Sequence, residues 1–309
     1  MPRVALTGAN GFLGWHTRAA LQEQGQETAI IPVGDAFSDE AAAASLSGSS
    51  RLIHLAGVNR GTDTEVDEGN TRFAKQLAAA IVRAEDPPAA VVFANSTQAT
   101  NGSVYGNAKS VAADILGAAA DKVGADFHNV LLPNLFGEHG RPFYNAVTAT
   151  FSHMLAHGQT PSVNDDKALT LLHAQDAADL ITGAVDLSTI RELQTQESVS
   201  GLLGRLSEID GTYRRGEIPD VASRFDRDLF NTYRSYAFAD HTPVRLTRHS
   251  DARGSFFEII RSHGGCGQSS FSTTEPGISR GDHFSSTQDR TVHRACRLCH
   301  HCTAETVHR

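Results

Sequence analysis

Tyr105 and Lys109 stand four positions apart, with Ser96 and Thr97 a short way upstream. On a helix that spacing puts both side chains on one face. A lysine ammonium beside a tyrosine lowers the phenol's pKa. The phenol can then protonate a carbonyl that is receiving hydride, or deprotonate an alcohol that is losing one. Ser96 or Thr97 can hydrogen-bond the same oxygen; Ser96 is the first choice, and the spacing admits either. A second signature is Thr7-Gly8-Ala9-Asn10-Gly11-Phe12-Leu13-Gly14, directly after the apolar Val4-Ala5-Leu6. Gly8 permits a tight turn and Gly11 lets backbone approach a pyrophosphate. Gly14 lets the next helix pack closely on the strand, and the phosphates meet that helix's free N–H groups and positive dipole end. A glycine triplet alone is weak, and so is Tyr-xxx-Lys; together they describe a nucleotide-dependent redox enzyme.

Asp35 lies about twenty residues past the glycine loop, where an acidic side chain can bind a ribose 2′-hydroxyl and repel a 2′-phosphate. That favours NAD, with no neighbouring arginine in the sequence to welcome a phosphate. An aspartate in a surface turn after Gly34 fits equally well.

These groups need elements to hold them. Val4–Leu6, Thr28–Val33, Arg51–Ala56, Ala89–Ala94 and His128–Leu132 read as strands. Leu13–Gln24, Ala41–Leu46, Thr71–Glu85 and Val104–Val123 read as helices between them, the first with Gly25 as C-cap. This alternation is the sequence form of a Rossmann-type, doubly wound parallel α/β sheet. Past Gly137, Asn145–His157 and Ala174–Leu187 read as helices of a small lobe over the ligand crevice. Ser188–Arg215 reads as a polar helix, and Phe225–Ala237 alternates charge and aromatics. From about His241 the character changes to strands, Val244–Ile260 and Gln268–Ser272, separated by Gly and Asp turns.

The 309 residues carry a net charge of −8, which argues against a nucleic-acid backbone as main partner. No apolar stretch has membrane-spanning length and the N-terminus lacks a signal-peptide succession, so a cytoplasmic protein is expected. With four cysteines, three of them crowded near the C-terminus, a disulfide scaffold is not expected.

At this point the chain resembles the extended short-chain dehydrogenase/reductases of the NAD-dependent epimerase/dehydratase type, which act on nucleotide sugars. More narrowly it resembles the CapF family of capsular polysaccharide assembling proteins. The likeness is carried by TGANGFLG, HLAGVNR from His54, STQAT from Ser96, YGNAK, PNLFG from Pro133 and RPFYNAVTATF from Arg141. DARGSFFEIIR from Asp251 and PGISRGDHF from Pro276 extend it to Phe284. The resemblance implies a dimeric, bifunctional enzyme: an N-terminal reductase joined to a zinc-holding cupin. The cupin epimerises a UDP-4-keto-6-deoxy-N-acetylhexosamine at C3. The reductase then reduces the C4 ketone with NADPH, on the way to UDP-N-acetyl-L-fucosamine.

Carried over, Gly8, Asn10, Gly11, Phe12, Leu13, Gly14, Leu55, Ala56, Gly57 and Pro133 would line the cofactor. Tyr105 would be the acid and Lys109 its partner on the nicotinamide ribose. Asn134, Arg141 and Asn145 would face the sugar nucleotide. The resemblance implies NADP(H), while Asp35 departs from what a strict NADPH enzyme needs and leaves NAD(H) as the alternative. The implied division is a reductase domain over 1–240, a partial cupin over 243–284, and an unrelated tail over 285–309.

That tail lacks the family's histidine-rich metal-binding run. Cys296, Cys299 and Cys302 with His300 and His301 have the look of zinc ligands. A shifted reading frame is the better account: Ser285–Leu298, moved one nucleotide onward, can spell a cupin-like His-x-His strand. The expectation is therefore no bound zinc and no cupin epimerase activity, His283 alone surviving from the motif region. Two other functions remain open: an epimerase or dehydratase that recycles its cofactor, and a non-catalytic dinucleotide-binding protein.

Overall fold

The computed structural model describes residues 3–239, 246–264 and 268–278, with the backbone of 292–293 and 306–307. The chain falls into two compact units, Met1–Arg245 with Ile260–Gln268, and Leu246–Ile259 with Ser269–Arg309.

In the first unit five strands form a parallel sheet: β1 (Arg3–Thr7), β2 (Glu27–Ile30), β3 (Arg51–His54), β4 (Ala90–Ser96) and β5 (Asp126–Leu132), in the order β2-β1-β3-β4-β5. The helices α1 (Phe12–Glu23), α2 (Asp39–Leu46), α3 (Asp63–Arg83) and α4 (Val104–Val123) connect them. Alternate residues of each strand enter opposite cores, as a period of two requires. Ala5, Leu52, Val91 and Phe93 join one core with Leu77 and Leu116. Leu6, Ile53 and Val92 join the other with Leu21 and Leu180. A sheet covered on both faces needs apolar residues at successive positions, which is why the central strands β1, β3 and β4 read as short continuous apolar runs.

The strand order reverses between β1 and β3, and ligands of open α/β sheets bind outside the carboxyl ends of the strands at such a switch point. The glycine loop leaves β1 there, and Leu55-Ala56-Gly57 leaves β3 beside it.

A second layer of chain forms the lobe. Strands β6 (Asn134–Phe136), β7 (Ala168–His173) and β8 (Thr195–Ser198) make a small mixed sheet. Around it lie α5 (Val147–Ala156), α6 (Ala174–Thr182), the single turn α7 (Ile190–Leu193), α8 (Val199–Arg214) and α9 (Arg224–Ala237). Phe136, Phe151, Leu202, Leu206, Phe230 and Tyr233 close the lobe's own core.

Several boundaries differ from the sequence expectation. β2 stops at Ile30 because Pro32 has no N–H for a ladder and Gly34 turns left-handed (φ 75°). α3 begins at Asp63 rather than Thr71: Thr62 accepts from the Glu65 backbone N–H and Glu65 accepts from that of Thr62, a capping box. The polar run that follows hides the helical period. The polar helix expected over 188–215 holds a strand instead, β8, with α8 starting after the Ser198 cap.

In the second unit β9 (His249–Asp251), β10 (Gly254–Arg261) and β11 (Gln268–Thr274) form a sheet in the order β11-β10-β9, the β9–β10 pair antiparallel. Its apolar Ile259 and Phe271 stay half exposed. His283, Cys296, Cys299, His300, His301 and Cys302 lie outside the described residues.

Candidate active site

Thr7, fully buried at the end of β1, fixes the switch point. Its hydroxyl oxygen accepts from the backbone N–H groups of Leu55 (3.2 Å) and Ala56 (3.3 Å) and bonds His54 Nδ1 at 2.6 Å. Burial drives the His54 pKa down to about 3, with the Lys109 charge acting in the same direction, so the ring is a neutral structural tie. The β3 exit is thereby drawn against the glycine loop. A Cβ at Gly8 (φ 68°) would lie 2.7 Å from the Ala56 nitrogen, and one at Gly14 would lie 2.1 Å from the Gly8 carbonyl oxygen. Only glycine fits either place. Gly11 is the N-cap of α1, makes no side-chain cap, and no acidic residue occupies the first turn. The first N–H groups of α1 are left to an anion such as a pyrophosphate. Asn10 and Gly11 are exposed at this mouth, and Phe12 and Leu13 are half-buried behind it.

The pair expected to transfer a proton lies on α4. Lys109 is buried on α4; its Nζ donates to the Ala94 carbonyl (2.9 Å) and lies 4.1 Å from the Phe93 ring centre. The same Nζ is 4.0 Å from the place a Cβ would take at Gly57. Ser96 ends β4, where its hydroxyl accepts from the Gln98 N–H (3.2 Å) and acts to lower the Tyr105 pKa. Thr97 is exposed one residue further on. The glycine loop, the β3 exit and Lys109 are thus contiguous at the switch point, with Tyr105 on the same helix as Lys109.

The electrostatics differ from the expected lowering of the phenol's pKa. Burial raises the Tyr105 pKa above its ordinary value, and the Ser96 hydrogen bond only partly offsets this. Burial also brings Lys109 down to about 7. Desolvation thus disfavours the charged form of Lys109, on which the expected lowering of the phenol's pKa depends.

Asn70, buried on α3, was not singled out in the sequence because it sits in a polar stretch. Its amide donates to the Val58 carbonyl (2.7 Å) and accepts from the Val58 N–H (3.2 Å), which pins the Gly57–Val58 backbone. Asp35 also looks different in three dimensions. It lies in a short turn, 94% exposed, with Arg72 of α3 2.6 Å away. The expectation that no arginine stands nearby is therefore wrong: the guanidinium comes from 37 residues further along the chain. Gln76 holds that turn in place by bonding both Gly34 N–H and C=O at 2.9 Å.

The expected substrate-facing residues lie on the lobe side. Pro133 joins β5 to β6 and is half-buried. Asn134 is exposed on β6, its amide donating to the Thr170 carbonyl at 3.2 Å. Arg141 and Asn145 are exposed in the segment before α5 rather than in its first turn. Glu138 anchors the beginning of this segment: its carboxylate meets His173 Nε2 at 3.2 Å and its carbonyl meets His16 Nε2 at 3.0 Å. Among the described residues no group of three or more His, Cys, Asp or Glu could hold a metal, and no helix is long and apolar enough to cross a membrane.

Comparison with known proteins gives the same picture. Residues 4–191 match the NAD dependent epimerase/dehydratase family, and residues 249–293 match a polysaccharide biosynthesis C-terminal domain. A Pseudomonas aeruginosa protein named UDP-2-acetamido-2,6-beta-L-arabino-hexul-4-ose reductase is 32% identical over 294 residues, covering 91% of this chain and 77% of its own. The crystal structure of capsular polysaccharide assembling protein CapF from Staphylococcus aureus matches with a TM-score of 0.78 and 26% identity, over 99% of this chain and 87% of that one. The fold alone is shared with UDP-glucose 4-epimerase from Thermotoga maritima, at 16% identity and a TM-score of 0.63, over 77% of this chain and 100% of that one.

Proposed function

Because the chain belongs to the NAD-dependent epimerase/dehydratase family, with CapF-like relatives, we propose that it reduces the C4 ketone of a UDP-4-keto-6-deoxy-N-acetylhexosamine. The product would serve polysaccharide precursor synthesis. The observation that carries this is the single surface on which Lys109 Nζ, Gly57 and the Gly8 turn meet.

The residues present fit a nicotinamide dinucleotide. Gly8 and Gly14 let the backbone of the β1 turn, the β3 exit and α1 approach closer than any Cβ allows, and α1 offers unclaimed N–H groups there. Asn10, Gly11, Phe12, Leu13, Leu55, Ala56, Gly57 and Pro133 would line that group. When bound, its reduced ring supplies the hydride. Tyr105, a phenol whose pKa burial raises further above neutrality, donates its phenolic proton to the C4 oxygen as charge develops there. Ser96 hydrogen-bonds that oxygen and keeps the phenol aimed. Lys109, with its pKa near 7, holds the ribose and returns a proton to the phenol. Asn134, Arg141 and Asn145 hold the sugar nucleotide.

We assign residues 1–240 to the reductase, 243–284 to a partial cupin and 285–309 to a tail, although the C-terminal family match runs into that tail as far as residue 293. No zinc-dependent epimerisation is assigned. Homodimeric assembly belongs to the same proposal and rests on the resemblance alone.

The test is incubation with UDP-4-keto-6-deoxy sugars and reduced cofactor, following nicotinamide absorbance. Stoichiometric oxidation of the cofactor is the expected result. Sugar conversion without net oxidation would identify an epimerase or dehydratase instead.

Arg72 favours NADP(H). A guanidinium beside Asp35 can leave an exposed ion pair that contributes little and take a 2′-phosphate bidentately. Arg72→Ala should weaken NADPH binding about tenfold while NADH binding changes less than twofold. Fluorescence titration of both cofactors reads this out. Equal loss for both would remove Arg72 from phosphate recognition.

A further inference from the structure

The segment between Glu138 and α5 is unusual in its backbone. His139 (φ 66°), Phe143 (φ 59°) and Asn145 (φ 55°) are the only non-glycine residues with positive φ among the described residues. Such conformations persist only where surrounding contacts over-determine them. Here the contacts are visible. Tyr236 donates its hydroxyl to the Gly140 carbonyl (2.6 Å), and the Phe143 N–H donates to Thr150 Oγ1 (2.9 Å). Two further bonds reach the other side of the crevice: Arg60 Nη1 donates to the Phe143 carbonyl (2.9 Å), and the Asn145 amide donates to the Asn59 carbonyl (3.1 Å). The segment is a strap, running from the lobe and latched to the loop that follows β3.

The latch carries two positive charges. The Arg60 guanidinium lies 5.2 Å from the Tyr144 ring centre and that of Arg141 lies 5.0 Å from it. Like charges sharing one ring repel, and no carboxylate among the described residues forms an ion pair with either. The ring quadrupole only partly compensates at an exposed site. Planar guanidinium groups with free donors match phosphate oxygens in a bidentate manner.

Building on the reductase reading above, we infer that Arg60, Tyr144 and Arg141 form the clamp for the diphosphate of the sugar nucleotide, with Arg60 closing the strap over it. Arg60 is the new residue here. It lies just beyond the β3 exit, so its guanidinium ties the position of the substrate diphosphate to the wall that Gly57 and Lys109 form. The cofactor's own diphosphate is served separately, by the glycine loop on the β1 side. Two anions then enter one crevice without competing for the same donors.

Calorimetric titration of the full-length chain with UDP and UMP tests this, with NADPH titration alongside. Arg60→Gln and Arg141→Gln should each lower UDP affinity on the order of tenfold and compress the UDP-over-UMP preference. NADPH affinity should be unchanged. Arg60→Lys, which keeps the charge but loses the planar fork, should recover only part of the loss. Arg141 makes no hydrogen bond within the described residues, so its variant probes charge without unlatching the strap. Unaltered UDP affinity in both Gln variants overturns the clamp and leaves the reductase reading intact. Equal losses for UDP and NADPH in both variants also overturn it. A wild-type chain that binds NADPH but not UDP overturns the clamp and the substrate reading together.

Discussion

Replacing Tyr105 with Phe should lower kcat for ketone reduction by roughly 10²–10⁴-fold, the usual contribution of a positioned general acid. The change removes one oxygen, and the remaining ring still fills its half-buried site on α4. NADPH affinity and thermal unfolding should therefore stay near wild type. The measurement is single-turnover reduction with saturating cofactor, so that chemistry is separated from release. Ser96→Ala should cost less, because it removes a partner of the phenol and of the substrate oxygen but not the proton itself. If Tyr105→Phe turns over as wild type, another donor protonates the ketone and the assignment of the acid is wrong.

The second large effect is expected at Gly14. A Cβ there meets the Gly8 oxygen at 2.1 Å and the Ala9 carbonyl carbon at 2.7 Å, and both are backbone atoms. No side chain can turn aside, so α1 must move away from the β1 exit. Overpacking of this kind costs roughly 1–3 kcal/mol, occasionally more. The displacement falls on the N–H groups that would meet the pyrophosphate. Gly14→Ala should thus lower the melting temperature and weaken NADPH binding at least about tenfold. Gly25→Ala is the control. It has a positive φ of 66° but open space around its Cβ position, so it should cost roughly 1–2 kcal/mol and leave cofactor binding alone. Wild-type NADPH affinity in Gly14→Ala would show that the loop does not cradle the diphosphate.

Gly8, Gly14, Tyr105 and Lys109 were legible because their roles depend on local geometry. A turn between strand and helix, or two positions on one helical face, is set by residues close together in the chain. The central strands β1, β3 and β4 were legible for a related reason: each is buried on both faces, and that leaves a continuous apolar mark in a short window. The strand β8 and the early start of α3 were not. Their sequences are polar on the exposed side, and what fixes them is pairing with β7 in one case and a capping box in the other.

Other features lay beyond any local window. Arg72 reaches Asp35 across 37 residues, and Arg60 reaches the Phe143 carbonyl across 83. The sequence alone determined that this chain folds as a doubly wound sheet with a glycine turn and a Tyr/Lys pair, since short-range patterns specify each of them. Only the tertiary structure decided which charges meet at the crevice and how burial reverses the expected shift of the phenol. Coulombic neighbours and desolvation depend on distance in space, and the order of residues along the chain does not encode that distance.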